Sequence, residues 1–266
     1  MRSDLDRIVP LQATGEKPPL YCLHAVSGSA YSYVGLARLL GPTQPVFGFE
    51  APGFDNDREP VRSLSTLAAE YTQTLQEFAT QDEYLLLGWS LGGVLAFDMA
   101  KRLTAAGARV KSLILVDAGL PRVMHLPPEK DILRRFIQDM TGAPGRSTPG
   151  LEAIFGGLPQ NVLPEAVFEM VQTQGIVPEE IDADMLAHQY AVFRAHLEGF
   201  YSIQLDGSFE GPTVHILAAE SPAECMRWGR LVPDLKEYTV PGSHHSMWSG
   251  ESLQSMSEIV SRSIDR

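Results

Sequence analysis

Ser90 stands at the centre of Gly88-Trp89-Ser90-Leu91-Gly92, between the apolar run Tyr84-Leu85-Leu86-Leu87 and a helical pattern that begins Gly93-Val94-Leu95-Ala96-Phe97. Strand, Gly-x-Ser-x-Gly turn and helix in immediate succession are the local context of a nucleophile elbow. The turn is so tight that the serine must adopt a strained backbone conformation, and side chains at 88 and 92 would strike the neighbouring helix and strand. A helix that starts at this turn aims its first N–H groups at whatever the hydroxyl attacks, so the same geometry begins an anion site.

A serine hydroxyl is a weak nucleophile until a base accepts its proton, and imidazole suits that task near neutral pH. Seven histidines compete for the role. His24 and His215 lie in or beside strands, and His125, His188 and His196 fall in a helical region where surface or packing roles are expected. His244 follows the last strand in a Pro241-Gly242-Ser243 turn, from which a loop can carry imidazole back over Ser90, whereas the adjacent His245 points elsewhere. The base in turn needs an acid to orient it and to stabilise its protonated form. Asp117 and Glu220 both end apolar strands; Asp117 is preferred because it directly terminates the strand after the elbow helix, at the ligand-binding edge of a parallel sheet. Either carboxylate could instead cap a nearby helix.

Tetrahedral intermediates of acyl transfer require two N–H donors, one from the residue after the nucleophile and one from the loop after an earlier strand. Those positions are Leu91 and Val26, with Ala25 as the near alternative to Val26. The small residues of Val26-Ser27-Gly28-Ser29-Ala30 let backbone approach a ligand closely, although a tight strand-to-helix loop would carry the same composition. No His-x-x-x-His and no cysteine pair at ligand spacing supports a metal.

The elements that must position these residues alternate along the chain. Strands are expected at Ile8 to Leu11, Leu20 to Ala25, Pro45 to Glu50, Tyr84 to Trp89, Lys111 to Ala118, Thr213 to Glu220 and Glu237 to Val240. Helices are expected at Tyr31 to Leu40, Leu64 to Ala79, Val94 to Ala106 and Ser252 to Ser263. From about residue 121 to 201 the alternation fails. Helical segments near Pro128 to Met140, Pro164 to Thr173 and Asp182 to Phe200 are separated there by Thr141-Gly142-Ala143-Pro144-Gly145 and Phe155-Gly156-Gly157-Leu158-Pro159. An insertion of this kind reads as a lid over the site, with Ile154, Phe155 and Leu158 as its wall, or as a small helical subdomain with only a packing role. The expected architecture is an α/β-hydrolase fold: one domain over residues 1–266, a mostly parallel central sheet flanked by helices, and a helical lid insertion.

Composition agrees with a single large α/β domain: 266 residues, 44% hydrophobic, are enough for a sizeable core. A net charge of −12 argues against nucleic acid or an anionic membrane as partner. Cys22 and Cys225 form no disulfide framework, and no stretch has signal-peptide or membrane-span character, so a soluble cytoplasmic protein is expected.

Gly88-Trp89-Ser90-Leu91-Gly92-Gly93-Val94-Leu95-Ala96-Phe97-Asp98-Met99-Ala100, then Leu113-Ile114-Leu115-Val116-Asp117, then Val240-Pro241-Gly242-Ser243-His244, resemble the type I thioesterase domains that end nonribosomal peptide synthetases and related polyketide synthases. Ile8-Val9-Pro10-Leu11 and Leu23-His24-Ala25-Val26-Ser27-Gly28 resemble the start of that family, so the likeness spans most of the chain outside the insertion. The departures are His245, where the family often has an aromatic residue, and Ala25, where many members have proline. The resemblance implies that Ser90 is acylated, Asp117 is the acid, His244 the base, and Val26 and Leu91 the oxyanion donors. It implies release of a peptidyl or acyl chain, delivered on the 4'-phosphopantetheine of a carrier domain, by hydrolysis or cyclisation and with no permanently bound cofactor. A short segment ahead of the first strand suggests an excised terminal domain of a larger synthase. The alternatives are a free-standing editing thioesterase, in which histidine is often found at the position of Trp89, and a small-ester hydrolase on the same fold.

Overall fold

The computed structural model describes residues 7–54, 58–141, 149–178, 180–222 and 226–265. Seven strands, β1 (Ile8–Gln12), β2 (Leu20–Leu23), β3 (Val46–Phe49), β4 (Glu83–Trp89), β5 (Arg109–Val116), β6 (Thr213–Ala218) and β7 (Leu235–Val240), form one sheet in the order β1-β3-β2-β4-β5-β6-β7. Only β1 is antiparallel to its neighbour; every other pairing is parallel.

Parallel pairing needs crossover connections, and the helices that supply them cover both faces, which is why β2 is buried at every position and β4 at all but its first. The strand side chains divide by parity. Leu86, Leu113 and Leu115 pack with α2 (Leu64–Phe78) and α3 (Leu91–Ala105). Leu85, Leu87, Ile114 and Val116 pack on the other face with α1 (Val34–Leu40) and α8 (Gly250–Ile264). A 3-10 turn over Tyr31–Tyr33 leads into α1. Ser63 starts α2 by accepting a hydrogen bond from the Thr66 amide at 3.2 Å.

Between β5 and β6 the chain makes four helices, α4 (Glu129–Met140), α5 (Pro149–Gly156), α6 (Pro164–Thr173) and α7 (Ala183–Ser202). The spacing predicts three. Helix α5 is the addition; it ends at the Gly156-Gly157 pair that reads in sequence as a break, and its short length leaves little periodicity to detect. Most of the expected separator Thr141-Gly142-Ala143-Pro144-Gly145 lies outside the described residues. The insertion has its own core, in which Ile132, Phe136, Phe168 and Leu186 are buried. Ile154 and Phe155 belong to that core and Leu158 packs against it, so these three hold the insertion together instead of walling an opening. Among the described residues no helix is long and apolar enough to cross a membrane, and no cluster of three or more side chains could hold a metal. Cys22 is a buried free thiol in β2; Cys225 lies outside the described residues.

Candidate active site

Strand β4 ends at Trp89, and Ser90 takes φ 56° and ψ −123°, a region that side chains rarely occupy. Its amide donates to the Val116 carbonyl at 3.0 Å, and its own carbonyl accepts from the Gly93 amide at 3.0 Å, so the strained turn is fixed at both sides. The glycines are steric necessities. A Cβ on Gly88 would lie 2.0 Å from the Gly92 carbonyl oxygen, and one on Gly92 would lie 2.1 Å from the Leu23 carbonyl oxygen. A Gly92→Ala variant is therefore expected to lose about 3 kcal/mol of stability, the upper end of the usual overpacking cost, because backbone, not a flexible side chain, stands in the way. Thermal or urea unfolding measures this, and a wild-type midpoint would refute the steric account.

The close approach of Gly92 to the end of β2 brings the start of α3 against the loop carrying Val26. Among the described residues, neither the Leu91 amide nor the Val26 amide donates to a protein acceptor. Both are unused backbone donors, Leu91 directly after the partly buried Ser90 and Val26 on the loop that follows β2.

Asp117 follows β5 with φ 41° and is 1% exposed. Its Oδ1 accepts from the Ala218 amide at 3.0 Å, and its Oδ2 accepts from Ser221 Oγ at 2.6 Å and from His244 Nδ1 at 2.6 Å. Burial alone would raise its pKa, but the hydrogen bonds from His244, Ser221 and Ala218 outweigh it and hold the carboxyl below its ordinary value. Because a carboxylate accepts, His244 donates from Nδ1, and its neutral ring presents an unprotonated Nε2. The His244 ring lies 5.0 Å from the Trp89 ring, centroid to centroid, and so beside the residue that precedes Ser90.

The chain's match to the thioesterase domain family model spans residues 18–160, more than half of its length. The chain belongs to the thioesterase domain family. Over 117 residues this thioesterase domain is 37% identical to the dimodular nonribosomal peptide synthase of Bacillus subtilis (strain 168), a match that covers 44% of the chain and 5% of that protein. A probable non-canonical nonribosomal peptide synthetase, CymA, of Salinispora arenicola (strain CNS-205) is 26% identical over 267 residues, 97% of the chain and 3% of its own length. The thioesterase domain thus spans a small fraction of these curated relatives. The four-domain nonribosomal peptide synthetase holo-AB3403, bound to AMP and glycine, superposes with a TM-score of 0.82 at 21% identity, over 96% of this chain and 20% of that one. That likeness is one of fold, and the fold is that of the α/β hydrolases. Family and fold together are those of a serine hydrolase.

Among the described residues, the competing residues of the thioesterase domain make no hydrogen bond to Asp117. The Glu220 side chain is exposed, and its backbone amide bonds to the Gly242 carbonyl. His245 sits edge-on to Trp89 at 5.4 Å and to His244 at 4.9 Å; burial, together with repulsion from His244 whenever that ring is protonated, pushes its pKa down to about 4. His215 is buried on the sheet with neither ring nitrogen hydrogen-bonded, His125 is exposed, and His188 bonds to the Asp184 carbonyl on its own helix.

Three contributors escaped sequence reasoning. Ser221 supports Asp117 from the loop after β6. Tyr33 hydroxyl donates to the Leu23 carbonyl and accepts from the Trp89 amide at 3.0 Å, tying the end of β2 to the elbow. Asp139, near the end of α4, has its pKa pushed up to about 6 by burial, a rise that His244 opposes when protonated. None carries a local motif. A cavity of about 420 Å³ adjoins the elbow, lined by Trp89, His245, Trp248, Tyr31 and Arg38 among others.

Proposed function

We propose that this thioesterase domain takes a peptidyl or acyl chain from the phosphopantetheine thioester of a carrier domain onto Ser90 and then releases it. The observation that carries the reading is the 2.6 Å Asp117–His244 hydrogen bond, which leaves His244 Nε2 free to accept a proton next to the elbow. Ser90 Oγ attacks the thioester carbonyl as His244 Nε2 takes its proton, and the Val26 and Leu91 amides carry the oxyanion. The C–S bond breaks and the thiolate leaves with the proton from His244, giving an acyl-serine. A second nucleophile, water or an amine or hydroxyl of the chain itself, gives its proton to His244 and attacks the ester, and Ser90 leaves reprotonated. Water yields the acid; an internal nucleophile yields a ring. The insertion over about residues 121–201 of a single domain, which carries helices α4 to α7, acts as the lid that governs which nucleophile reaches the ester. The likeness to nonribosomal peptide synthetases supports the carrier-bound substrate.

The test offers the protein an acyl chain as a thioester on a carrier domain and, separately, as a simple ester. Intact-mass spectrometry is expected to show an acyl adduct on Ser90 from the thioester, formed faster than from the ester. Products from hydrolysis and cyclisation then differ by one water. Turnover of the ester alone would reassign the protein to small-ester hydrolysis.

A further inference from the structure

His196 lies on α7 of the insertion, yet its ring is fully buried against the loop that follows β2. Its Nδ1 is 2.8 Å from the Val26 carbonyl, which can only accept, so Nδ1 carries the proton. The ring stacks on His24 with centroids 4.9 Å apart and planes 14° from parallel. His24 is itself tied down: Nδ1 donates to the Ala25 carbonyl at 2.7 Å, and Nε2 lies 2.7 Å from Tyr71 hydroxyl, whose one proton is shared between this nitrogen and the Glu50 carbonyl at 3.1 Å. Burial keeps both rings neutral, with pKa values pushed down to about 3 for His24 and about 4 for His196. Helix α7 also closes on Gly28, where a Cβ would meet Val192 at 2.8 Å.

Peptide planarity gives these bonds a direction. The Ala25 carbonyl and the Val26 N–H belong to one trans peptide and point opposite ways. His24 Nδ1 and the Gly28 amide, at 3.1 Å, pull on the carbonyl side and so aim the Val26 N–H away from themselves. His196 holds the next peptide through the Val26 carbonyl. With both planes fixed, the orientation of Val26 has no freedom left.

We propose that His196 is a positioning residue for the oxyanion loop, holding the Val26 carbonyl and the His24 ring so that the Val26 N–H faces the reacting carbonyl. The claim rests on the role of Val26 given under Proposed function. His196 Nε2 has no hydrogen-bond partner and is buried, a cost that a phenylalanine of similar shape would avoid, so the imidazole is explained by its N–H and not by packing. The oxyanion site is then complete only when α7 is seated, which couples the insertion to the acylation step.

Two variants separate the hydrogen bond from the stack. His196→Phe keeps a ring and loses the donor; His196→Asn places an amide N–H near the position of Nδ1 and loses the ring. With an acyl thioester of N-acetylcysteamine, His196→Phe is expected to lower kcat about tenfold or more with KM within about twofold, since loss of an oxyanion donor outright costs about 10²–10³ and misaiming costs less. His196→Asn is expected to stay within about threefold of wild type. Circular dichroism melting corrects each rate for the folded fraction. Wild-type kcat in His196→Phe, or equal losses in both variants, overturns the positioning role. A wild-type protein that forms no acyl adduct on Ser90 overturns Proposed function and this inference together, whereas normal Ser90 labelling in both wild type and His196→Phe removes only the latter.

Discussion

A Ser90→Ala variant is expected to turn over a carrier-type acyl thioester about 10⁴–10⁶ times more slowly than wild type and to accumulate no acyl adduct. The magnitude follows from what is removed. Without the hydroxyl there is no atom to form the ester intermediate, and His244 has no proton to accept; only the unused Val26 and Leu91 donors and substrate binding remain to assist direct attack by water. Folding should survive. The backbone hydrogen bonds that hold position 90, to Val116 and from Gly93, involve no side-chain atom, and among the described residues no side-chain hydrogen bond of Ser90 is present to lose. Alanine tolerates the φ of 56° no worse than serine. The melting temperature is therefore expected within about 2–4 °C of wild type, the shift that about 1 kcal/mol produces in a chain of this size. Persistent labelling in this variant would place the nucleophile elsewhere.

Asp117→Asn is expected to lower kcat by about 10⁴, although it changes one oxygen to an NH₂ group. Asp117 receives three hydrogen bonds, from the Ala218 amide, Ser221 and His244, so both of its oxygens must accept. Asparagine has one acceptor oxygen. The Ala218 amide is a fixed backbone donor and claims it, which turns the NH₂ toward Ser221 and His244. His244 Nδ1 must then accept, its proton moves to Nε2, and the nitrogen that should take the Ser90 proton is already occupied. The negative charge that stabilises imidazolium is lost as well. Glu220→Gln should leave kcat within about threefold, since that side chain is exposed and outside the cluster. Comparing kcat of the two variants on one thioester decides the assignment: a severe Glu220→Gln and a mild Asp117→Asn would transfer the acid role to Glu220.

The elbow was legible because its constraints are local. Gly88, Ser90 and Gly92 sit within one turn, and the clashes a Cβ would meet at 88 and 92 follow from any strand, tight turn and helix joined this closely. Strand positions were legible for a related reason: β2, β4 and β5 are covered on both faces and read as continuous apolar runs. Their ends were less so. Helix α3 begins at Leu91, three residues before the periodic apolar pattern, because the glycines that permit the elbow also mask the start of the helix. Helix α5 was missed for a similar reason, with glycines at its end and the buried Phe155 taken for part of a break.

The order of serine, acidic residue and histidine, and the turn on which each stands, are properties of the sequence alone. Which of Asp117 and Glu220 faces which of His244 and His245 is not, since Asp117 and His244 are 127 residues apart and meet only after β6 and β7 have added to the sheet beside β5. The contact between His196 and the Val26 carbonyl, 170 residues apart, is further still from any local signal. A buried histidine on an apolar helix face looks the same in sequence whether it fills space or holds a carbonyl. Local sterics and periodicity act between near neighbours and are written residue by residue; the pairing of a donor with a distant acceptor is settled by how the layers close on one another, which only the folded chain specifies.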